Sequence, residues 1–179
     1  MRIIIAGAGE VGSHLARMLS YEYHGIIVID PDSEKLVQLA SNIDVLTVEG
    51  SAASFAALKE ANVNKADLFV AVTHFEEANI ISATLAKRLG AKKVISRIDN
   101  NEYMLPSNKD IFLNLGIDSL IYPEKLAARE VIGILGQTGS AEFVDFSGGK
   151  LSLAVIKLDE DAPVIDQSLV QVTKRNERL

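Results

Sequence analysis

The chain has 179 residues, no cysteine, a hydrophobic fraction of 48% and a formal net charge of −6. Without cysteine it cannot form disulfides, a catalytic thiolate or a cysteine-ligated zinc site, and the negative charge argues against a nucleic-acid binder. Its apolar stretches are too short and too often interrupted by charge for a membrane-spanning helix. The chain enters an apolar run directly, without a basic leader, so a cytoplasmic location is expected.

The first thirty residues predict a strand, a glycine turn, a helix and a second strand in immediate succession. An apolar strand at 2–6 precedes the turn, and a second apolar run at 26–29 ends in Asp30. An acid about 20 residues beyond such a turn completes the fingerprint of a dinucleotide-binding βαβ unit. The turn consists of Gly7, Ala8, Gly9, Glu10, Val11 and Gly12.

Each part of this fingerprint has a role in binding a nucleotide. Gly7 permits the tight turn, Gly9 leaves room for a pyrophosphate, and Gly12 lets the helix pack closely on the sheet. The free N–H groups and the dipole at the helix start favour phosphate. Asp30 can accept hydrogen bonds from a ribose diol and, with Asp32 nearby, would repel a 2′-phosphate. A turn that binds nothing is the alternative, but all the context cues favour the nucleotide site.

Strand and helix patterns continue to alternate through residue 135. Further strands are predicted at 45–49, 68–72, 94–98 and 119–122. Helices are predicted after the N-caps Ser33 and Ser54, at 76–89, at 111–115, and at 124–135 behind Pro123. The sequence therefore predicts a Rossmann-like, doubly wound parallel sheet of six strands, with the ligand at the carboxyl ends of the first and fourth strands.

The chain is expected to divide into three parts. Residues 1–135 form the nucleotide-binding domain, 136–141 a linker, and 142–179 the partial start of a small α+β C-terminal domain. Alternating strands are predicted in this tail at 142–146 and 151–156, around a turn at Gly148-Gly149. The tail is marginal for an independent core, so we expect it to belong to a longer protein or to need a partner.

Candidate ligand contacts follow the third and fourth strands, because sites in this architecture collect where parallel strands end. Ser51, after Gly50, offers a hydroxyl to a ribose or base, and a plain turn is an equal alternative. Thr73 and His74 are expected beside the glycine turn. His74 fits an exposed loop histidine better than a catalytic one, because no acid–base partner is identifiable. Asn79 is expected to bond loop backbone rather than ligand.

The fifth and sixth strands end in two charged candidates. Arg97 lies in an apolar strand and needs an anion, either a ligand phosphate or a nearby acid such as Asp99. We favour the phosphate, because Arg97 comes late in a central strand. Glu124 lies in the first turn of a helix, where a carboxylate is favoured in any case. The helix at 124–135 has more apolar surface than one sheet face can cover, which predicts a second subunit.

Together these features resemble the nucleotide-binding domain of Trk/Ktr-type potassium-uptake regulators, the RCK or KTN domain. The resemblance covers about residues 1–135, and 146–150 resembles the start of that family's C-terminal domain. The residues that carry it are the glycine turn with Ser13-His14-Leu15-Ala16, Asp30, Ala71-Val72-Thr73 with Asn79, Arg97, and Tyr122-Pro123-Glu124.

The resemblance implies a cytoplasmic regulatory subunit of a membrane-embedded potassium transporter or channel. Such subunits assemble as homodimers or rings and lie at the inner face of the cell membrane through that partner. The glycines and Asp30 would then hold the nucleotide, and Arg97 would meet a phosphate, including one of a neighbouring subunit. Glu124 matches a position that helps to hold a divalent cation in the ATP-binding branch, and the helix after Pro123 would be the crossover helix of the dimer.

NAD(H) is the expected ligand, the resemblance adds ATP or ADP as alternatives, and the charges of Asp30 and Asp32 disfavour NADP. One departure affects that choice. The family commonly has an acidic residue directly after the strand-three glycine, and this chain has Ser51 there. Contacts to the adenosine therefore differ from the family pattern.

Two other functions compete with a nucleotide sensor. A small NAD-dependent oxidoreductase needs a substrate pocket and an acid–base group beside the nicotinamide. All three histidines lie within residues 1–74, and the tail is too small for a usual catalytic domain. A structural dimerisation module with a vestigial site is disfavoured by the intact fingerprint. The sequence therefore predicts a sensor rather than an enzyme, with no nucleic-acid partner and no direct membrane insertion.

Overall fold

A computed structural model describes residues 1–22, 24–136, 142–146, 151–155, 158–162, 164–168 and 170–171. The chain forms two compact units, Met1–Leu126 and Ala127–Leu179. Among the residues that the structure describes, no helix is long and apolar enough to cross a membrane.

The first unit is built on one six-stranded sheet in which neighbouring strands run parallel. Its strands are β1 (Arg2–Ala6), β2 (Gly25–Asp30), β3 (Leu46–Glu49), β4 (Leu68–Ala71), β5 (Lys93–Arg97) and β6 (Ser119–Ile121). Their order across the sheet is β3-β2-β1-β4-β5-β6, so the direction of winding reverses between β1 and β4. This order confirms the predicted doubly wound, Rossmann-like sheet and places the reversal at the expected strands.

Helices follow the strands in alternation. They are α1 (Glu10–Ser20), α2 (Ser33–Asn42), α3 (Phe55–Glu60), α4 (Glu76–Arg88), α5 (Pro106–Asn114) and, after β6, α6 (Pro123–Gly136). Two short 3₁₀ helices, Val63–Lys65 and Asn101–Met104, complete the connections on either side of β4 and β5.

Side chains of the central strands alternate between two buried cores, one on each face of the sheet. Ile3 and Ile5 of β1 pack with Ala16 of α1 and with leucines of α2. Ile4 and Ala6 of the same strand pack with the opposite core, which α3 and α4 cover. Burial on both faces explains the continuous apolar runs of the sequence, and each fully buried isoleucine contributes about 1.5–3 kcal/mol.

Two helix starts differ from the sequence prediction, each for a local reason. α5 begins at Pro106 rather than at 111, because a proline lacks the N–H that the first helical position leaves unpaired. Asp32 caps α2 instead of Ser33, and its carboxylate accepts the N–H groups of Glu34 and Lys35 at 3.1 and 3.3 Å. The predicted cap at Ser54 is confirmed, with its hydroxyl 3.2 Å from the next-but-one N–H.

The described part of the second unit contains an antiparallel hairpin. Its strands are β7 (Glu142–Phe146) and β8 (Leu151–Val155), in register from Glu142 opposite Val155 to Phe146 opposite Leu151. The hairpin confirms the two strands predicted in the tail. The predicted turn at Gly148-Gly149 and most of the linker at 136–141 lie outside the described residues.

Asp118 joins the start of β5 to the loop before β6. Its carboxylate accepts the Val94 N–H at 2.7 Å and the Lys87 ammonium at 2.9 Å. Burial raises the pKa of Asp118, but the bonds from Lys87 and Val94 outweigh it and hold the pKa below the ordinary value of 3.8. A pKa lowered by folding gives stability that is present above 3.8 and is lost as the pH falls through the folded value.

We therefore expect Asp118→Asn to lower the free energy of unfolding by about 1 kcal/mol at neutral pH, because the Lys87 ion pair is lost. The difference between variant and parent should shrink below the ordinary pKa of 3.8. Urea denaturation at a series of pH values measures both. Asp110→Asn, at an exposed position of α5, is the matched control. An equal effect of the two substitutions would contradict this account.

Candidate functional site

The glycine turn between β1 and α1 is too tightly packed for side chains at two of its glycines. Gly7 has a φ of +110°, and a Cβ there would lie 3.0 Å from the Thr73 nitrogen. A Cβ on Gly12 would lie 1.8 Å from the Gly7 carbonyl oxygen. These contacts seat α1 against the end of β1 and fix the turn beside the loop that follows β4.

Gly9 is different, because the atoms closest to it across the turn belong to a side chain rather than to the backbone. Its φ and ψ of −70° and −172° are open to any residue, and the three atoms nearest to an added Cβ would all belong to the His74 imidazole. Gly9 is also the N-cap of α1, and it offers no capping side chain. The N–H groups of the first turn therefore lack a side-chain acceptor, which suits a phosphate.

Asp30 ties the end of β2 to the glycine turn. The residue is buried, with 8% of its surface exposed. One oxygen accepts the Ala8 N–H at 2.6 Å, and the other accepts the Asp32 N–H at 2.9 Å. Because each carboxylate oxygen has about two acceptor positions, both oxygens retain capacity for a ribose hydroxyl.

The loop after β4 is held by a buried amide. Asn79 is 1% exposed, and its oxygen accepts both the N–H and the hydroxyl of Thr73, at 2.8 and 2.7 Å. The Asn79 nitrogen donates to the carbonyls of Thr73 and Arg97, at 3.1 and 3.3 Å. These bonds confirm the prediction that Asn79 bonds loop backbone, and they set the position of Thr73 beside Gly7.

Two cavities meet at the glycine turn. One, of about 160 Å³, lies at the ends of the central strands, and a more polar one, of about 620 Å³, lies between α1 and α2. Gly9 and His74 line both cavities, while Ala8 and Glu10 line only the larger. The predicted site residues that line the smaller cavity are Gly7, Gly9, Asp30, Ser51, Thr73 and His74.

Arg97 faces a separate apolar groove of about 560 Å³, together with Glu10 and Val11. Its guanidinium donates to Asp99 at 3.1 Å and to Glu124 at 3.3 Å. The anion beside Arg97 is thus a pair of carboxylates of the chain itself. Among the described residues, no group of three or more histidine, aspartate or glutamate side chains is arranged to hold a metal. The phosphate role of Arg97 and the cation role of Glu124 stay predictions.

Sequence analysis missed two charged residues around the site. The Glu76 carboxylate, in the first turn of α4, accepts the backbone N–H groups of Asp99 and Asn100. Lys35 lines both cavities at the glycine turn. Its spacing three residues after Asp32 was a readable signal for an ion pair, whereas no local pattern links Glu76 to the loop after β5.

A parallel sheet with reversed winding, a glycine turn before an uncapped helix and a carboxylate at the end of β2 define a Rossmann-type nucleotide-binding domain. Comparison with known families agrees with this class and narrows it. The chain matches the TrkA-N domain over residues 3–123 and belongs to that family.

Curated relatives of similar sequence carry the name TrkA. A Trk system potassium uptake protein TrkA homolog of Archaeoglobus fulgidus is 42% identical over 161 residues, which are 89% of this chain and 36% of that protein. TrkA of Halomonas elongata is 32% identical, over 94% of this chain and 37% of the relative. A shorter homolog from Methanothermobacter thermautotrophicus is 34% identical, over 83% of this chain and 67% of its own length. The chain thus spans little more than a third of the first two relatives.

Solved structures support the fold. The TrkA-N domain of the inner membrane protein ybaL from Escherichia coli superposes with a TM-score of 0.66 at 18% identity, over 75% of this chain and 96% of that domain. The GsuK RCK domain gives a TM-score of 0.59 at 22% identity, over 76% of this chain and 27% of that one.

Alanine substitutions at Gly12 and Gly9 test whether the two glycines have different roles in the turn. We expect Gly12→Ala to destabilise the fold by about 3 kcal/mol, because the methyl group overlaps the Gly7 carbonyl. Gly9→Ala should change stability by less than about 1 kcal/mol, since only the His74 side chain must move. Urea denaturation measures both, and equal losses would contradict the packing described.

Proposed function

We propose that the chain is a nucleotide-binding regulatory module that gates a potassium transporter or channel in response to NAD(H) or ATP/ADP. The observation that carries the proposal is the uncapped start of α1 behind Gly9, with the Asp30 carboxylate bonded to the adjoining turn. A phosphate at Gly9 would accept hydrogen bonds from the free N–H groups of α1. A ribose beside Asp30 would donate to the remaining acceptor positions of the Asp30 carboxylate.

Names of related proteins support this reading. The curated relatives are called Trk system potassium uptake proteins. Solved structures with the same fold include the GsuK channel bound to NAD, GsuK bound to ADP, and the Shewanella denitrificans Kef CTD in its AMP-bound form. NAD, ADP and AMP share an adenosine 5′-phosphate, which is the part of a nucleotide that Asp30 and Gly9 are placed to bind.

Within the proposed site, Ser51, Thr73 and His74 lie around the nucleotide. Ser51 offers its hydroxyl to the ribose or base, while His74 covers the phosphate position above Gly9. Arg97 lines the separate groove and Glu124 pairs with it, so we assign them to a phosphate or a divalent cation that a second copy of the chain brings there. NAD(H) is the preferred ligand in this proposal, and the charges of Asp30 and Asp32 disfavour NADP.

We favour a sensor over a small NAD-dependent oxidoreductase. Two polar groups of the site are engaged in structure, since Asp30 accepts two backbone N–H groups and the Thr73 hydroxyl bonds Asn79. The proposed module acts instead by population shift. A ligand that binds one of two conformations of the module more tightly than the other raises the population of that conformation. The partner would be a membrane-embedded potassium transporter or channel, with the module at the inner face of the membrane.

We further propose that the chain works as a homodimer or a larger ring. The groove beside α1 has an apolar floor that includes Val70, Val72 and Ile95. On α6, Leu126 and Ile132 are 55% and 67% exposed. Exposed apolar surfaces of this kind are covered most simply by a second copy.

We expect NAD(H) and ADP or ATP to raise the melting temperature of the protein more than NADP(H) does. At about 100 times Kd, binding adds about 2.7 kcal/mol to the stability of the folded state. Gly9→Val should abolish this gain, because its side chain would push against His74 and cover the N–H groups at the start of α1. Gly25→Val, at an exposed strand end with open space around it, is the matched control. Thermal scans with each nucleotide measure the gain.

If no nucleotide raises the melting temperature of the parent protein, the site assignment is wrong. If Gly9→Val keeps the full ligand gain while folding normally, the role of the turn in binding phosphate is wrong, whatever else binds the nucleotide.

Sizing with light scattering should show at least a dimer. Leu126→Ser combined with Ile132→Ser is expected to shift the protein toward the monomer, because both side chains are exposed in the single chain. Val37→Ser, on α2 and 68% exposed, removes a similar side chain elsewhere and should leave the assembly intact. A parent protein that stays monomeric at micromolar concentration would count against the assembly.

A further inference from the structure

Lys35 lies where the adenosine side of the proposed site meets α2. It lines the smaller cavity with Asp30 and Ser51, and it lines the larger cavity with Ala8 and Gly9. Lys35 therefore adds a cation to the lining of both cavities, next to the carboxylate proposed to hold the ribose.

Asp32 engages Lys35 twice. One carboxylate oxygen accepts the Lys35 backbone N–H at 3.3 Å, and the other lies 3.1 Å from the Lys35 ammonium. Their shared side-chain hydrogen bond lowers the pKa of Asp32 and raises the pKa of Lys35, and the charge of Asp30 adds to the rise at Lys35. The ammonium therefore stays charged and is turned toward Asp32.

We infer that the Asp32–Lys35 ion pair is a specificity filter, in which Asp32 withholds Lys35 from a phosphate on the 2′-oxygen of the adenosine ribose. The inference rests on the proposed function, because it assumes that Asp30 receives the ribose. In this inference, Lys35 could contact the 2′-phosphate of NADP(H), but its ion pair with Asp32 prevents that contact, so the site selects NAD(H).

The charges around the ribose explain the selection. Asp30, Asp32 and Lys35 together carry one net negative charge, so a 2′-phosphate meets repulsion as well as a cation that is already paired. Neutralising Asp32 brings the sum to zero and releases the Lys35 ammonium. A phosphate there would also lie near the start of α2, where the helix dipole favours an anion.

The substitution that tests this leaves the helix cap in place. Asparagine caps helices about as well as aspartate, so Asp32→Asn removes the charge while keeping a side-chain acceptor for the Glu34 N–H. Glu34→Gln removes the same charge from the same helical turn without touching the ion pair, and it is the matched control. Asp32→Asn with Lys35→Gln removes the released cation as well.

Isothermal titration of the full chain with NAD⁺ and NADP⁺ gives the ratio of the two dissociation constants for each variant. In Asp32→Asn we expect that ratio to move toward NADP⁺ by about tenfold. Glu34→Gln should leave it within about twofold. The double variant should return most of the way to the parent ratio, because Lys35 is the contact that the first substitution releases.

The outcomes separate the two proposals. If the parent protein binds NAD⁺ but Asp32→Asn gains no more than Glu34→Gln, the filter is wrong and the proposed function stands. If the gain survives Lys35→Gln, removal of charge alone explains it, and the role of Lys35 is overturned. If the parent protein binds neither NAD⁺ nor NADP⁺, the filter is wrong, and the proposed function then depends on whether ATP or ADP raises the melting temperature.

Discussion

The site depends on one carboxylate that joins three segments of chain. Asp30, at the end of β2, accepts N–H groups from Ala8 in the glycine turn and from Asp32 at the start of α2. Its own carbonyl accepts the Gly50 N–H that follows β3, at 2.9 Å. Because a buried carboxylate must be hydrogen-bonded, the acid of the dinucleotide fingerprint is also the structural tie of the turn. Binding and architecture therefore constrain the same residue.

On the other side of the turn, hydrogen bonds and ion pairs connect the first turn of α4 to α6. Glu76 accepts the N–H of Asp99, the Asp99 carboxylate accepts from Arg97, and Arg97 donates to Glu124 in the first turn of α6. Asn79 bonds the carbonyl of Arg97 as well. These contacts therefore connect the first turn of α4 to the start of α6 through Asp99 and Arg97.

The sequence specified the fold better than it specified the side-chain partners. Apolar periodicity and glycine punctuation are local signals, so the strands and the turn were predicted close to their observed bounds. The start of α5 at Pro106 was missed because polar residues conceal the helical period in its first turn. Arg97 was correctly expected to need an anion, yet the choice of Asp99 and Glu124 depends on β5 and α6 meeting in space. Glu76 was missed for the same reason.

The polar groups are distributed unequally along the proposed path of a nucleotide. The adenosine side has Asp30, Ser51 and Lys35, whereas the groove on the far side of the turn is largely apolar and its arginine is already paired with carboxylates. The adenosine 5′-phosphate common to NAD, ADP and AMP would thus find the same contacts in every case. The nucleotides differ in the groups attached to that 5′-phosphate, which would extend toward Arg97 and Glu124. These two residues form an ion pair at the start of α6. In the proposed function, affinity and response are therefore assigned to opposite sides of the glycine turn.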